Sequence, residues 1–335
     1  MPKILGLGLL ILGAAAAGWW LWPKDKQETV EPKPENTANE ERVRVNPYSI
    51  DSLKERSWAS EIIIERKVRE TGGFISYVVS FESDGLKQYA LMNVPRGDTP
   101  AGGWPVVIVN HGYIEPEVFS TENSYINTSA YFANAGFLVL KPDYRGHDKS
   151  EGEPGRLVSR INYAVDVLNM MAGIPRLEGA NAERIYMYGH SMGGDVTLRV
   201  LEVCDMCVKA ATLWAPAVTA WPESALYFAR RNSTDPKRRE RLARFEQELK
   251  ELFRPEEYKG VSAFDNLELV RVPLNVHHGT QDQSVPYEWG EILVNRFKEL
   301  GLGYNFYSYS GDNHDIAGNW GRALARDVEL FNKFP

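Results

Sequence analysis

"RIYMYGHSMGGDVTLRVLEVC", residues 184–204, divides into an apolar run of strand character, a corner built of glycines around one serine, and a run of helical period. In Gly189-His190-Ser191-Met192-Gly193 the glycines stand two positions to either side of the serine, as they must where a Cβ would collide with the neighbouring strand or helix of a tight turn. Such a turn lifts Ser191 clear of the sheet edge. A helix starting at Met192 also sets that residue's backbone N–H beside the reacting atom, where it can stabilise an oxyanion. As a bare pattern Gly-x-Ser-x-Gly says little; strand before and helix after make it a nucleophile elbow.

A serine hydroxyl is a poor nucleophile near neutral pH and needs a base within hydrogen-bonding reach. The elbow's fold runs in the chain order serine, acid, histidine, which looks for both partners downstream of Ser191. Of the six histidines three lie there, His277, His278 and His314. His277 and His278 close the strand-like "VPLNVHHG" with no obvious acid preceding them after the elbow, whereas His314 sits in "SGDNHDIAG" between the last strand-like run and the last helical one. His314 is therefore the expected base. The acid belongs on the loop after the preceding strand, where "HHGTQDQSVP" offers Asp282; Asp265, Asp312 and Asp315 are the alternatives. As a loop aspartate Asp282 could instead cap the helix that follows.

The second oxyanion donor is expected from "NHGYIEPE", after the strand-like "PVVIVNH": His111 and Gly112 turn the chain, and the Tyr113 N–H, or its phenol, can face the site. Tyr113 could equally be packing. Glu115 and Glu117 could hold a substrate amine or be ordinary loop acids. Trp214 and Trp221, past the strand that follows the elbow's helix, are candidate walls of an acyl pocket, since ligands sit outside strand carboxyl ends; core packing is the other role open to them.

The 335 residues are 43% apolar, enough for a sizeable core. A formal net charge of −7 argues against a nucleic-acid surface. Ile4–Trp22 contains no charge and is long enough to span a bilayer as a helix. A membrane anchor is the expectation, with Trp19, Trp20 and Trp22 as an interfacial belt; a signal peptide cleaved near Ala15, Ala16 and Ala17 is the alternative. Either implies export, the catalytic part outside the cytoplasm. Residues 23–47, rich in proline and glutamate, read as a disordered tether. Cys204 and Cys207 lack further ligands for zinc; two small buried thiols are expected, with a short-loop disulfide or redox pair as alternatives.

Over 48–335, nine runs rich in β-branched and aromatic residues appear. The first three have no helix between them, and the later ones alternate with helical stretches near 122–134, 157–172, 192–204, 286–300 and 318–333. An antiparallel start feeding a mostly parallel sheet, with helices on both faces, is the α/β architecture predicted. The alternation breaks over 216–266, where Asp235 and Pro236 look like a helix start. Leu242, Phe245, Leu249 and Leu252 share one face of that helix, and Lys237, Arg238, Arg239, Arg241 and Arg244 the other. This reads as a small helical lid whose basic residues form a solvated face or attract an anionic substrate.

Over residues 60–334 the chain resembles the α/β-hydrolase superfamily, most closely its prolyl oligopeptidase and dienelactone hydrolase branches. "NHGY", "KPDYRGHDKSEGE", "GHSMGGD", "HHGTQDQSVP" and "GDNHD" carry the resemblance. It implies Ser191, Asp282 and His314 as nucleophile, acid and base, with Asp143 and Arg145 as structural loop residues and Asp148 where glycine is common. Peptide-cleaving members of the prolyl oligopeptidase family usually carry a propeller ahead of the hydrolase domain, and here only anchor and tether are expected there. The expectation is a membrane-tethered serine hydrolase acting on a small-molecule ester, thioester or short peptide, esterase-like in preference to peptidase, needing no metal or organic cofactor. A catalytically silent binding protein on the same fold is the rival.

Overall fold

In the computed structural model residues 45–231 and 235–335 are described. The expected anchor and nearly all of the tether fall outside these residues, and no helix among them is long and apolar enough to cross a membrane. Residues 45–335 pack as one unit. Its strands are β1 (Ile63–Glu70), β2 (Phe74–Ser83), β3 (Leu86–Pro95), β4 (Trp104–Asn110), β5 (Leu138–Pro142), β6 (Ala180–His190), β7 (Ala210–Trp214), β8 (Leu274–Gly279) and β9 (Tyr304–Tyr309). Its helices are α1 (Ile50–Lys54), α2 (Ile126–Asn134), α3 (Ser159–Gly173), α4 (Met192–Val203), α5 (Glu223–Arg230), α6 (Pro236–Leu252), α7 (Tyr258–Val261), α8 (Tyr287–Glu299) and α9 (Trp320–Lys333).

The strands form one sheet in the order β1-β2-β3-β5-β4-β6-β7-β8-β9. β1, β2, β3 and β5 pair antiparallel, and β5 through β9 run parallel. Each expected strand is present. β5, β7 and β8 are buried along their whole length, as parallel strands covered on both faces must be, and the polar side chains they carry, among them Lys141, Thr212, Asn275 and His277, are hydrogen-bonded. The exposed edge strand β1 carries Glu65, Arg66, Lys67, Arg69 and Glu70, charges that discourage pairing with another chain.

One core, on the face covered by α3, α4 and α8, includes Ile161, Val196, Leu213 and Phe297. A second, on the face of α2 and α9, includes Phe132, Tyr186, Leu324 and Phe331. A buried carboxylate on α9 ties that helix to the sheet. Asp327 accepts from Thr212 Oγ1 at 2.7 Å and Trp214 Nε1 at 2.8 Å on β7, and contacts His277 Nε2 at 2.9 Å on β8.

Between β7 and β8 lie α5, α6 and α7. α6 begins as its sequence indicates: Asp235 accepts from the Lys237 N–H at 2.9 Å and Pro236 takes the first turn, where a missing N–H costs nothing. Phe245 is buried, and Leu242, Leu249 and Leu252 pack half-buried on the larger core. Where α4 ends the expectation of two buried thiols is corrected. Cys204 and Cys207 are half-buried and joined in a disulfide, the helix end bringing their Cα atoms to 5.6 Å, within bridging range.

Candidate active site

Ser191 stands between β6 and α4 with φ +55° and ψ −116°, a conformation that L-residues rarely adopt. The turn closes because its neighbours are small: a Cβ on Gly193 would lie 2.0 Å from the Asn110 carbonyl oxygen. The Ser191 N–H donates to the Trp214 carbonyl at 2.8 Å, and its carbonyl accepts from Gly194 at 2.9 Å and Ala217 at 3.0 Å. These bonds anchor the strained residue to β7, to α4 and to the insertion. Met192, as the first residue of α4, has an N–H with no acceptor inside the helix.

Asp282 lies in the loop after β8 and His314 in the loop after β9. Asp282 Oδ2 contacts Nδ1 of His314 at 2.7 Å, while Oδ1 accepts from the Ser284 N–H at 2.7 Å and the Val285 N–H at 2.9 Å. Oδ2 also meets Nε2 of His278 at 3.1 Å. Burial alone would push this carboxyl up. The donors His278 and His314 outweigh it and hold Asp282 well below the usual carboxylate range. An ionised carboxylate only accepts, so the proton on His314 sits at Nδ1 and, in the neutral ring, Nε2 carries a free lone pair. His314 lines the same cavity as Ser191, and its ring lies 4.6 Å from that of His190, the residue before the serine.

The other aspartates considered are placed differently. Asp312 accepts from the Gly318 N–H and from Asn319 Nδ2, bracing its own loop, and Asp315 is exposed, 3.9 Å from His190 Nε2. Asp265 lies in the short helical stretch Phe264–Leu269, ahead of β8.

The loop after β4 approaches the elbow closely. A Cβ on Gly112 would come 3.2 Å from Ser191 Cβ, and Tyr113 lines both cavities that Ser191 lines. The Tyr113 phenol accepts from Arg241 Nη2 on α6 at 3.1 Å, and burial with a bond to Glu115 pushes its pKa up to about 12. Trp214 lines the larger cavity, although its ring is almost wholly buried and held by Asp327. Trp221 is corrected: it lines neither cavity beside Ser191 and packs against Phe253 in the larger core, 5.4 Å between ring centres.

Three further residues belong to the site. His278 is fully buried against Asp282, and its Nδ1 has no partner among the described residues. Its spacing of four from Asp282 around a turn was the available sign, obscured by looking for an acid ahead of the histidines. Tyr125 accepts from the Gly112 N–H at 2.9 Å and donates to Nδ1 of His190, whose Nε2–H then donates to the His314 carbonyl at 3.2 Å. The chain joins the loop after β4, the elbow and the His314 loop. Burial, then the neighbouring His314, lowers His190 to about 3, so the ring stays neutral. The Tyr125 contacts span a helix start, a strand end and a loop, and no local spacing announces them.

Two cavities meet at Ser191. The larger, 1290 Å³, runs past Tyr125, His190, Trp214 and His314. The smaller, 350 Å³, lies between Met192, Leu157, Arg160, Phe228 and Phe245. A nucleophile at the junction can receive one substrate part on each side.

A comparison with protein families matches residues 105–251 to the serine aminopeptidase (S33) family. An uncharacterised peptidase of Bacillus subtilis, YtmA, is 23% identical over 77% of this chain and 93% of its own length. Among solved structures, dipeptidyl peptidase 4 of Porphyromonas gingivalis superposes with a TM-score of 0.60 at 22% identity, over 78% of this chain and 36% of that one. The chain thus spans about a third of that peptidase's length. An acetyl xylan esterase of Paenibacillus superposes at 0.58 and 17% identity, over 84% of this chain and 91% of the esterase. Sheet order and these neighbours agree on the α/β-hydrolase fold, and the segment 105–251 is similar to the serine aminopeptidases, a serine hydrolase family.

Proposed function

We propose that the protein cleaves esters through an acyl-enzyme, with Ser191 as nucleophile, His314 as base and Asp282 as the carboxylate that fixes the base. Ser191 attacks the carbonyl while His314 Nε2 takes its proton. The N–H groups of Met192 and Tyr113 hold the tetrahedral oxyanion, and His314 returns the proton to the leaving group. Water, deprotonated by the same nitrogen, then releases the acyl group. The observation that carries this reading is the 2.7 Å contact of Asp282 with His314 Nδ1, which leaves Nε2 unprotonated in the cavity that Ser191 lines.

The match along nearly the whole of the acetyl xylan esterase supports esters, while the Bacillus subtilis peptidase YtmA is matched over a similar share of its length. The serine aminopeptidase match keeps a peptidase as the second reading. Short-chain 4-nitrophenyl esters assayed beside N-blocked and free-amine peptide amides decide. Ser191-dependent turnover of the esters is expected, and turnover of peptide amides alone would favour the second reading.

The catalytic unit is further proposed to be held outside the cytoplasm by an anchor at residues 4–22, and the Cys204–Cys207 disulfide suits an oxidising compartment. Recovery of the full chain in a carbonate-washed membrane fraction tests the anchor; release as a protein shortened at its N-terminus would contradict it.

A further inference from the structure

The smaller cavity at Ser191 is lined by apolar Leu157, Ala225, Ala229 and Phe245, and by the guanidinium of Arg160. Arg160 reaches it from α3 with its side chain only 13% exposed. Both of its hydrogen bonds leave from Nη1, to Asp195 Oδ2 at 3.1 Å and to the Ala217 carbonyl at 2.9 Å. Nε and Nη2 have no acceptor among the described residues. The Phe228 ring lies 5.6 Å beneath the guanidinium carbon as a platform. Ala217, whose N–H donates to the Ser191 carbonyl, puts a single residue between the arginine and the elbow.

The charge here is not balanced. Asp195 is also held by Arg199, through Nε at 2.8 Å, so two guanidiniums share one carboxylate. Glu202, the next acid on α4, is fully buried with neither oxygen partnered, and burial raises its pKa well above the ordinary range. Burial thus disfavours its charged form, and it accepts no hydrogen bond from either arginine. At the mouth Arg241 faces Glu115 and Arg238 faces Asp235, each at 3.8 Å, so those cations are already matched. Arg156 is held by Glu153 and Glu248, which leaves the exposed Lys237 and, with its side chain 13% exposed, Arg160.

From this we propose that the smaller cavity binds an acyl group ending in a carboxylate, with Arg160 as the residue that selects it. This rests on the proposed reading of Ser191. A 350 Å³ cavity with an apolar wall and a half-satisfied guanidinium in its lining matches the half-ester of a short dicarboxylic acid. A guanidinium grips such a carboxylate through two parallel N–H bonds, which a neutral chain end cannot accept. An acidic side chain on the acyl side of a peptide bond offers the same chemistry.

The test pairs mono-4-nitrophenyl adipate with 4-nitrophenyl hexanoate, and N-blocked glutamyl with glutaminyl 4-nitroanilide. The wild type is expected to prefer the charged member of one pair by about tenfold or more in kcat/KM, the order of one charge-assisted bond. The pair that responds identifies the source of the carboxylate. Arg160→Gln is expected to abolish the preference, read as the ratio of kcat/KM for the charged and neutral members within the variant so that any general loss of activity cancels. Binding is read apart from chemistry by titrating monomethyl adipate into Ser191→Ala protein with and without Arg160→Gln. Binding that disappears with Arg160→Gln supports the subsite even if no ester is turned over, in which case the hydrolase reading alone fails. Equal turnover of the charged and neutral members of both pairs, or adipate binding unchanged by Arg160→Gln, overturns the proposal.

Discussion

His278 and His314 meet the same oxygen of Asp282, at 3.1 and 2.7 Å. A carboxylate oxygen shared by two imidazoles is held in place from behind by one and presented to the other. His278 is thus a positioning residue acting through Asp282. His278→Leu removes the N–H, and losing a charge-assisted bond worth about 1.5–3 kcal/mol is expected to lower kcat roughly tenfold or more with KM little changed. With one of the donors that hold it low removed, the Asp282 carboxyl rises, so the acid limb of the pH–rate profile moves to higher pH. His278→Gln, which restores an N–H, should return that limb toward the wild type. A limb unmoved in both variants would reduce His278 to packing.

Asp282→Asn tests the tautomer. An amide can donate to His314 Nδ1, which drives the proton to Nε2 and blocks the base. A fall in kcat of about 10⁴-fold is expected with folding intact, as for other triads that lose the carboxylate. Activity within tenfold of the wild type would remove Asp282 from the relay.

Gly193→Ala tests the elbow's packing. The new Cβ would lie 2.0 Å from a backbone oxygen of β4, an atom that cannot swing aside as a side chain could. A loss of stability of about 4 kcal/mol or more, or failure to accumulate as folded protein, is expected. Denaturant unfolding of the purified variant checks it, and near-wild-type stability would contradict the geometry.

The succession of strands and helices, and the segments that carry Ser191, Asp282 and His314, were legible because they are local. The glycines around Ser191, the loop acid after "HHG" and the histidine between the last strand and helix each sit in a segment whose pattern can be read alone. What escaped depends on meetings between distant segments. Tyr125 reaches His190 across 65 positions, and Arg160 reaches Asp195 across 35. Trp221 stayed open between pocket wall and core because distance past a strand end says nothing of which way a ring turns; it turns inward onto Phe253. The cysteine pair went the other way: small residues near an apolar run suggested burial, whereas the end of α4 left them half-exposed and close enough to bridge.

Acid sensitivity of the fold follows from His190. Burial lowers it from 6.5 to about 3. Between these values the unfolded chain takes up a proton that the native ring refuses. Stability is therefore full above the upper value and falls as pH drops through the window, by about 1.4 kcal/mol per pH unit for this one group. Unfolding free energies measured between pH 7 and 4 should show a shallower slope for His190→Gln than for the wild type. Identical slopes would contradict a buried neutral ring.

The central claim, that the elbow serine is the nucleophile and the imidazole after β9 activates it, is tested most directly by covalent capture. Purified protein is treated with a fluorophosphonate and the adduct located by peptide mass spectrometry. Stoichiometric modification of Ser191, absent in Ser191→Ala and slowed at least about a hundredfold in His314→Gln, is the expected result. An unmodified Ser191 in folded wild-type protein, or modification at the same rate without His314, would contradict it.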